Sequence, residues 1–527
     1  MANLLSTAQM RAIEAAAMAS GEVTGLELME RAGAGVVDAA MRRWPGFSAA
    51  PRRAVVLCGP GNNGGDGFVI ARLLAGQGWD VVCYLLGDVA KLPPDAKVNA
   101  ERWVALGAVH SLDGQDPAIF EGADLVVDAV FGIGISRSLS EPLATVLSKW
   151  GPAKWVAVDV PSGLCADSGK LVGRKVPLAG LADLTVTFEA PKWGHYIGDG
   201  PAVCGALEVV PLDILIRGSG RRAIPEVVDV LSTDLETVVG LQDHPPQLQI
   251  ADERRASGHK YDRGHALILS GGPGRTGAAR LAARGVLRVG AGLVTLGVPP
   301  ATQMEVACQV TAIMLARMPD AQALTALLED KRINALCLGP GLGVSDATRA
   351  LVLAALEAKR QAVLDADALT VFQDDPETLF AKLHPSCVLT PHAGEFARLF
   401  PDLAQAWRDA DVIGEAGSKI RAVQAAAERA GCCVLLKGAD TVVADPDGQT
   451  RVIAAVYDCA APMLATAGSG DVLAGFITGL LAQGYAPLNA AARAAWLHQE
   501  CGRLFGPGLI AEDIPEVLPQ VLAAEQD

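Results

Sequence analysis

With 527 residues the chain exceeds what one hydrophobic core fills, so two or three domains are expected, and 50% hydrophobic content with 57 glycines excludes a disordered chain. A formal charge of −15 opposes a polyanionic partner such as nucleic acid, although local backbone N–H groups can still hold a small anion. The 11 scattered cysteines include no C-x-x-C pair, the N-terminus lacks the basic and apolar regions of a signal peptide, and no apolar run nears the ~20 residues of a membrane span. A cytoplasmic protein without a membrane partner is expected.

In chain order, apolar residues at helical spacing (Met10, Ile13, Ala17, then Leu28, Ala32, Val36) predict two helices over residues 7–40. The runs AVVLCG, VVCYLL, LVVDAVFG, WVAVDVPSG and LTVTF then alternate with helix-like stretches, the pattern of a parallel sheet with crossover helices. Residues 217–254, polar and Pro-bearing in LQDHPPQLQIADER, read as a linker between a domain at 1–216 and another at 255–527. The second domain repeats the strand–helix alternation in ALILSGG, LVTLGV, ALCLGPGLG, AVLDADAL, CVLTPHAGE, CVLLKGAD and TVVAD. The fold class is α/β in both halves.

In the first half, LCGPGNNGGDG (57–67) follows a strand and precedes a helix predicted to start near Asp66. A glycine-rich turn there makes an anion cradle, with Asn62, Asn63 and Asp66 adding amide and carboxylate groups. Alone, such a turn is equally a tight strand–helix connection. However, Asp128 ends LVVD and Asp159 ends WVAVD, so three strand ends converge on one rim, where α/β sheets collect ligands. His195, in PKWGHYIGDG, has no second histidine at ligand spacing and no nucleophile elbow, and reads as structural in a packed loop near the site.

These motifs, LCGPGNNGGDG, DAVFGIG and DVPSG, with QMRAIE and LMERAG before them, resemble the NAD(P)H-hydrate epimerase family over about residues 1–215. The resemblance implies a Rossmann-like three-layer domain and a bound potassium ion held by Asn63, Asp128 and Ser162. Hard oxygen donors suit such a cation. It also implies dinucleotide contacts from Asn62, Asn63, Gly64, Gly65 and Asp66, from Gly132, Ile133, Gly134, Ile135, Ser136, Arg137 and Ser138, and from Asp159. Epimerisation at the hydrated ring carbon needs a group that moves a proton, and Asp159, beside the small Ser162 and Gly163, is the expected catalytic base, kept ionised by a nearby cation.

In the second half, TAGSGDVLAGFITGLLA (466–482) places Gly468, Ser469 and Gly470 before a helix and carries Asp471 at its start. Exposed N–H groups beside a carboxylate suit phosphoryl transfer, with the carboxylate taking a hydroxyl proton. The plain alternative is an N-cap before a buried helix. This motif resembles the ribokinase-like superfamily. The flanking HKYDRGHALILSGGPGRTGAARLAARGVLRVGAGLVTL, LGPGLG, LDADAL, LTPHAGEFARL and KGADTVVAD narrow the resemblance to the ADP-dependent NAD(P)H-hydrate dehydratases over about residues 255–520.

That resemblance implies a ribokinase-like fold and substrate contacts from Ala278, Gly341, His392, Ala393, Gly394, Glu395, Phe396, Ala397, Arg398 and Asp471, with Asp471 as catalytic base. ADP, the implied phosphoryl donor, is held by Lys437, Gly438, Ala439, Asp440 and Thr441, and by Ala461, Pro462, Met463, Leu464, Ala465, Thr466, Ala467, Gly468, Ser469 and Gly470. Magnesium is expected from the phosphoryl-transfer chemistry. The chain departs from the family at Pro273 and at Ala461, Met463 and Leu464, where Asn, Gly and Met are commoner, which implies altered donor contacts. The implied function is epimerisation of the R and S forms of hydrated NADH and NADPH, then dehydration of the S form at the expense of ADP, giving AMP and phosphate. The alternative is a small-molecule kinase of the same superfamily, joined to an N-terminal dinucleotide-binding module. A homo-oligomer working on small molecules is expected in either case.

Overall fold

Capping chemistry starts the first two helices where the periodicity placed them. In α1 (Thr7–Ala19) the Ser6 side chain accepts from the Gln9 N–H and the Gln9 side chain accepts from the Ser6 N–H; Thr24 and Glu27 do the same for α2 (Gly25–Arg43). Such a box contributes about 1 kcal/mol by satisfying otherwise orphaned N–H groups. The computed structural model describes residues 2–49, 52–135, 137–147, 151–173, 181–214, 239–242, 259–409 and 411–525. The chain divides into an N-terminal unit, Asn3–Val238 with Asp409–Lys419, and a C-terminal unit built from Val239–Arg408 and Ile420–Asp527.

The N-terminal unit holds a seven-stranded sheet of β1 (Arg53–Cys58), β2 (Asp80–Leu85), β3 (Val109–Ser111), β4 (Leu125–Ala129), β5 (Lys154–Val158), β6 (Leu184–Phe188) and β7 (Ala206–Val210). Their order is β3-β2-β1-β4-β5-β6-β7, and every neighbouring pair is parallel. The order reverses between β1 and β4, so the loops leaving these strands diverge and open a crevice at their carboxyl ends. Strands β4 and β6 are buried along their whole length, as a sheet covered on both faces requires. One face packs α1 and α2 through Met10, Ile13, Leu28 and Val36; Leu112, Phe120, Val146 and Trp155 fill the other.

The helix predicted near Asp66 begins four residues earlier: α3 runs Asn62–Gly76. Its first turn therefore contains the glycines read as a loop. Intrinsic propensity disfavours that start, and packing overrides it. A Cβ on Gly64 would lie 2.0 Å from the Gly59 carbonyl oxygen, so only a glycine lets α3 sit this close to the end of β1.

The C-terminal unit contains β8 (Val239–Leu241), β9 (His265–Leu269), β10 (Leu293–Val298), β11 (Met314–Arg317), β12 (Ile333–Leu338), β13 (Gln361–Leu364), β14 (Cys387–Leu389), β15 (Cys433–Leu436), β16 (Asp440–Ala444) and β17 (Thr450–Ala454). They lie in the order β8-β17-β16-β15-β14-β13-β12-β9-β10-β11. Pairing is parallel except where the hairpin strands β15, β16 and β17 run antiparallel. Strand β8 comes from the stretch expected as a linker, because Val239 and Leu241 are apolar and buried against β17; most of residues 217–254 lies outside the described residues. The helices α4 (Gly277–Arg288), α5 (Ala393–Leu399), α6 (Ser469–Ala482) and α7 (Pro487–Phe505) complete the elements that carry the second site. Among the described residues no helix is long and apolar enough to cross a membrane.

Candidate functional site

In the N-terminal unit the crevice between β1 and β4 brings the expected residues together. Asn63, in the first turn of α3, directs its amide oxygen to the Gly132 N–H at 3.2 Å and its amide N–H to the Val158 carbonyl at 3.3 Å. A Cβ on Gly132 would meet the Asn63 amide at 3.1 Å and Asp159 Oδ2 at 3.4 Å, so α3, the loop after β4 and the end of β5 meet at one point. Asp128 is buried: its Oδ2 accepts from the Ser162 N–H at 2.8 Å, and its Oδ1 accepts from Ser162 Oγ at 2.6 Å. Ser162 Oγ also accepts from the Phe131 N–H, tying the loops after β4 and β5 to each other. Gly132, Ile133, Gly134, Ile135, Arg137 and Ser138 line the loop after β4; Ser136 lies outside the described residues.

Asp159 is the most elaborately held group of this site. It leaves β5 in the left-handed region at φ +68°, a conformation that Asp and Asn tolerate better than most residues. Its Oδ1 accepts from Lys192 Nζ at 2.9 Å and from Thr187 Oγ1 at 2.8 Å. Lys192 is fully buried and donates further to Thr187 Oγ1 and to the Phe188 carbonyl. Burial pushes the Asp159 carboxyl up, but the Lys192 charge and hydrogen bond outweigh it and hold the group below the ordinary carboxylate value. The neighbouring carboxyls go the other way. Burial raises Glu14 to about 6, and burial with the charges of Asp159 and Glu14 raises Asp66 well above its ordinary value.

His195 takes the structural role expected of it. The Lys192 N–H donates to His195 Nδ1 at 2.9 Å, so the ring proton sits on Nε2, 2.9 Å from the Asp159 carbonyl oxygen, to which it donates. Burial, then the Lys192 charge, lowers this histidine to about 4. Lys192 and Thr187 were missed in the sequence. A lysine in PKWGHY signals nothing until β6 carries it behind Asp159, and lysines are seldom fully buried.

The C-terminal unit repeats the device. Its strand order reverses between β9 and β12, and the loops after them touch: a Cβ on Gly271 would lie 1.8 Å from the Gly341 carbonyl oxygen, and one on Gly341 would lie 3.5 Å from Ala278 Cβ. Ala278 and Gly341 thus share the crevice. Gly468 is the N-cap of α6 in the left-handed conformation at φ +88°, with no side-chain cap, so Ser469 and Gly470 present the first turn and Asp471 stands in it. Burial, then the charge of Asp365, raises Asp471 to about 6 despite the opposing Lys437. His498 on α7 places Nε2 2.9 Å from the Ser469 carbonyl oxygen and, by burial, falls to about 4.

Lys437, at the end of β15, donates to Asp365 Oδ1 at 2.7 Å, and a Cβ on Gly470 would lie 3.5 Å from its Nζ. Its own N–H donates to the Pro391 carbonyl, which joins the KGADT turn to the His392 loop. Thr441 Oγ1 closes that turn on the Gly438 carbonyl, while Ala439 and Asp440 lead into β16. His392 is the N-cap of α5: Nδ1 accepts from the Gly394 N–H at 2.8 Å, and Glu395 returns a carboxylate to the His392 N–H. Phe396 is buried with its ring 5.1 Å from that of Phe400, a core position, whereas Met463 in the divergent donor loop is exposed. Asp365, at the end of β13, was not singled out in LDADAL; only its pairing with Lys437, 72 residues away, distinguishes it from a turn former.

A parallel sheet with a buried carboxylate, Asp159, paired to a buried lysine at the end of the strand beside its switch point, followed by a second α/β unit with a carboxylate in a glycine-entered helix, defines a two-site α/β enzyme. Residues 25–194 match the family model described as YjeF-related protein N-terminus, and residues 266–519 match that described as NAD(P)H-hydrate dehydratase. The chain is 37% identical to bifunctional NAD(P)H-hydrate repair enzyme Nnr of Moorella thermoacetica, covering 98% of this chain and 96% of that protein. Against its namesake from Coxiella burnetii it is 34% identical, with 94% of each covered. The chain belongs to the family of bifunctional NAD(P)H-hydrate repair enzymes. A solved structure, the ADP/ATP-dependent NAD(P)H-hydrate dehydratase from Bacillus subtilis co-crystallized with ATP/Mg2+, is 25% identical, covers 54% of this chain and 94% of that one, and superposes with a TM-score of 0.42.

Proposed function

We infer that the N-terminal unit epimerises hydrated NADH and NADPH, and that the C-terminal unit dehydrates the S form using ADP, releasing AMP and phosphate. The observation that carries this reading is the near-complete coverage of relatives named bifunctional NAD(P)H-hydrate repair enzymes, with a carboxylate held at each site, Asp159 after β5 and Asp471 in the first turn of α6. The family's domain limits, 1–216 and 255–527, are proposed on the same ground.

At the first site Asp159 is the base. Lys192 and Thr187 occupy Oδ1, and Oδ2 lies toward Gly132, the loop proposed to carry substrate. The carbon–oxygen bond opens with its electrons leaving on the hydroxyl, which takes a proton and departs as water while the ring nitrogen's lone pair meets the carbon; the ionised carboxylate then takes a proton from a water that adds to the other face. Asp66 and Glu14, pushed toward their protonated forms, supply neutral donors beside it. The all-oxygen set of Asn63, Asp128 and Ser162, with Asp128 already joined to Ser162, fits an alkali cation, and a potassium ion bound there would offset negative charge near the substrate's phosphates.

At the second site Asp471 takes the proton of the ring hydroxyl. The oxygen then bonds to the terminal phosphorus of ADP, and the bond from that phosphorus to AMP breaks with its electrons leaving on AMP. Loss of phosphate from the ring carbon and of a proton from its neighbour restores the double bond. The N–H groups at the start of α6 and the Lys437 ammonium stabilise charge on the phosphoryl group in transit. Magnesium accompanying the donor would add positive charge to its phosphates. The free thiols of Cys58, Cys83 and Cys501, buried in the two cores, support a reducing cytoplasmic setting.

Incubation with ADP and hydrated NADH is expected to restore the absorbance of reduced nicotinamide and to release one phosphate per molecule repaired. A phosphoester that accumulates without that absorbance would instead establish the kinase reading. Conversion of the R form is expected to stop in an Asp159→Asn protein.

A further inference from the structure

Asp365 belongs to none of the groups assigned above, yet it is a buried carboxylate held from two sides. It follows β13 and is 2% exposed. Its N–H donates to the Leu338 carbonyl, and its Oδ1 accepts from Thr390 Oγ1 at 2.8 Å and from Lys437 Nζ at 2.7 Å. The backbone bond to β12 fixes the residue, and Thr390, after β14, and Lys437, after β15, hold its carboxylate before any ligand arrives. Lysine is the opposite kind of group, a point charge on a flexible four-carbon stem. Its ammonium has three donors, and one of them is spent on Asp365.

Three anions compete for that ammonium. Asp365 holds it, while Asp471 and Glu395 attract it from α6 and α5; Asp367 faces Asp471 as well, and His498 faces Lys437. Were Lys437 to close on Asp471, the pair would neutralise both the proton acceptor and the charge that meets the phosphoryl group. We propose that Asp365 is a positioning residue of the dehydratase, which anchors Lys437 over the first turn of α6 and so keeps it apart from Asp471. Asp365 touches neither substrate nor donor in this account; it acts through Lys437. The inference rests on the reading of Asp471 as the base of ADP-dependent dehydration.

The test compares full-length wild type with Asp365→Asn, Asp365→Glu, Thr390→Val and Asp471→Asn, measuring kcat, KM for ADP and the pH dependence of hydrated-NADH repair. Asparagine keeps the size of the side chain and a partner for Thr390 while removing the charge. In Asp365→Asn, kcat is expected to fall about 10- to 100-fold, KM for ADP to rise, and the acid limb of the pH profile to move to lower pH as Lys437 turns to Asp471. Asp365→Glu keeps the charge and is expected to recover most of the rate and the original acid limb, which a packing role alone would not do. Thr390→Val loosens the anchor without touching its charge and is expected to shift the same three quantities less; it decides the matter if Asp365→Asn fails to fold. A wild-type acid limb and ADP KM in whichever of these variants folds would overturn the proposal. Absence of repair by wild type itself, or full activity in Asp471→Asn, would instead overturn the reading on which it rests.

Discussion

Replacing Lys192 with methionine tests the electrostatic design of the first site. Methionine fills the volume of the lysine stem, so little cavity results. What disappears is the ammonium that bonds Asp159 at 2.9 Å, Thr187 at 2.8 Å and the Phe188 carbonyl at 3.0 Å in a fully buried setting. Breaking a buried ion pair from one side costs about 3–5 kcal/mol while the remaining charge persists. The sign of the pH dependence then inverts. In wild type the Asp159 carboxyl is held low, so its contribution to stability is present above the ordinary carboxylate pKa and is lost as pH falls through the folded value. In Lys192→Met burial acts without its opponent, the carboxyl is raised, and stability is lost as pH rises. Urea unfolding followed by the fluorescence of buried Trp193 should therefore show the largest deficit at alkaline pH, narrowing toward acid. Chromatography of the separated epimers should show a fall of about 10²-fold or more near neutrality, partly regained at higher pH. A variant with the wild-type pH–rate profile and a stability deficit constant with pH would refute the reasoning.

Asp471→Asn is expected to reduce ADP-dependent repair by about 10²- to 10⁴-fold while leaving epimer interconversion intact, read by phosphate release and chromatography of one sample. Because Asp471 is raised to about 6 and must be ionised to accept a proton, wild-type dehydration should fall away as pH drops below that value, measured as the acid limb of kcat/KM. Gly64→Ala places a methyl 2.0 Å from the Gly59 carbonyl oxygen and should cost about 1–3 kcal/mol, with epimerisation lost before dehydration is affected. Gly468→Ala combines a left-handed backbone with contacts of 2.8 Å to Leu281 and 2.9 Å to Ala511, and should instead abolish dehydration and spare epimerisation.

The features legible in the sequence are those written in contiguous residues. The strand before 57–67, the aspartates closing LVVD and WVAVD, and the helix opened by GSGD sit where their local pattern predicts, because a strand's end and a helix's capped start are local events. The start of α3 was misplaced because four residues of Asn and Gly read as a turn, and only packing against Gly59 pulls them into the helix. Lys192 and Asp365 were illegible for a different reason. Their chemistry lies in pairings with Asp159 and Lys437 across 33 and 72 positions, which exist only once the strands lie side by side.

The brace formed by His195 limits what evolution can place there. A side chain at that position must accept from one backbone N–H and donate to one backbone carbonyl at once, across the span of a flat ring. Asparagine and glutamine also carry a separate donor atom and acceptor atom on one planar uncharged group, but they differ from imidazole in reach. Protonation would convert the acceptor into a second donor aimed at an N–H, and the ring's affinity for protons, lowered to about 4, keeps that event well below neutrality. The histidine thus works as fixed masonry under the left-handed turn of Asp159, and substitutions at position 195 should register as a displaced catalytic carboxylate, with no new pH sensitivity of their own.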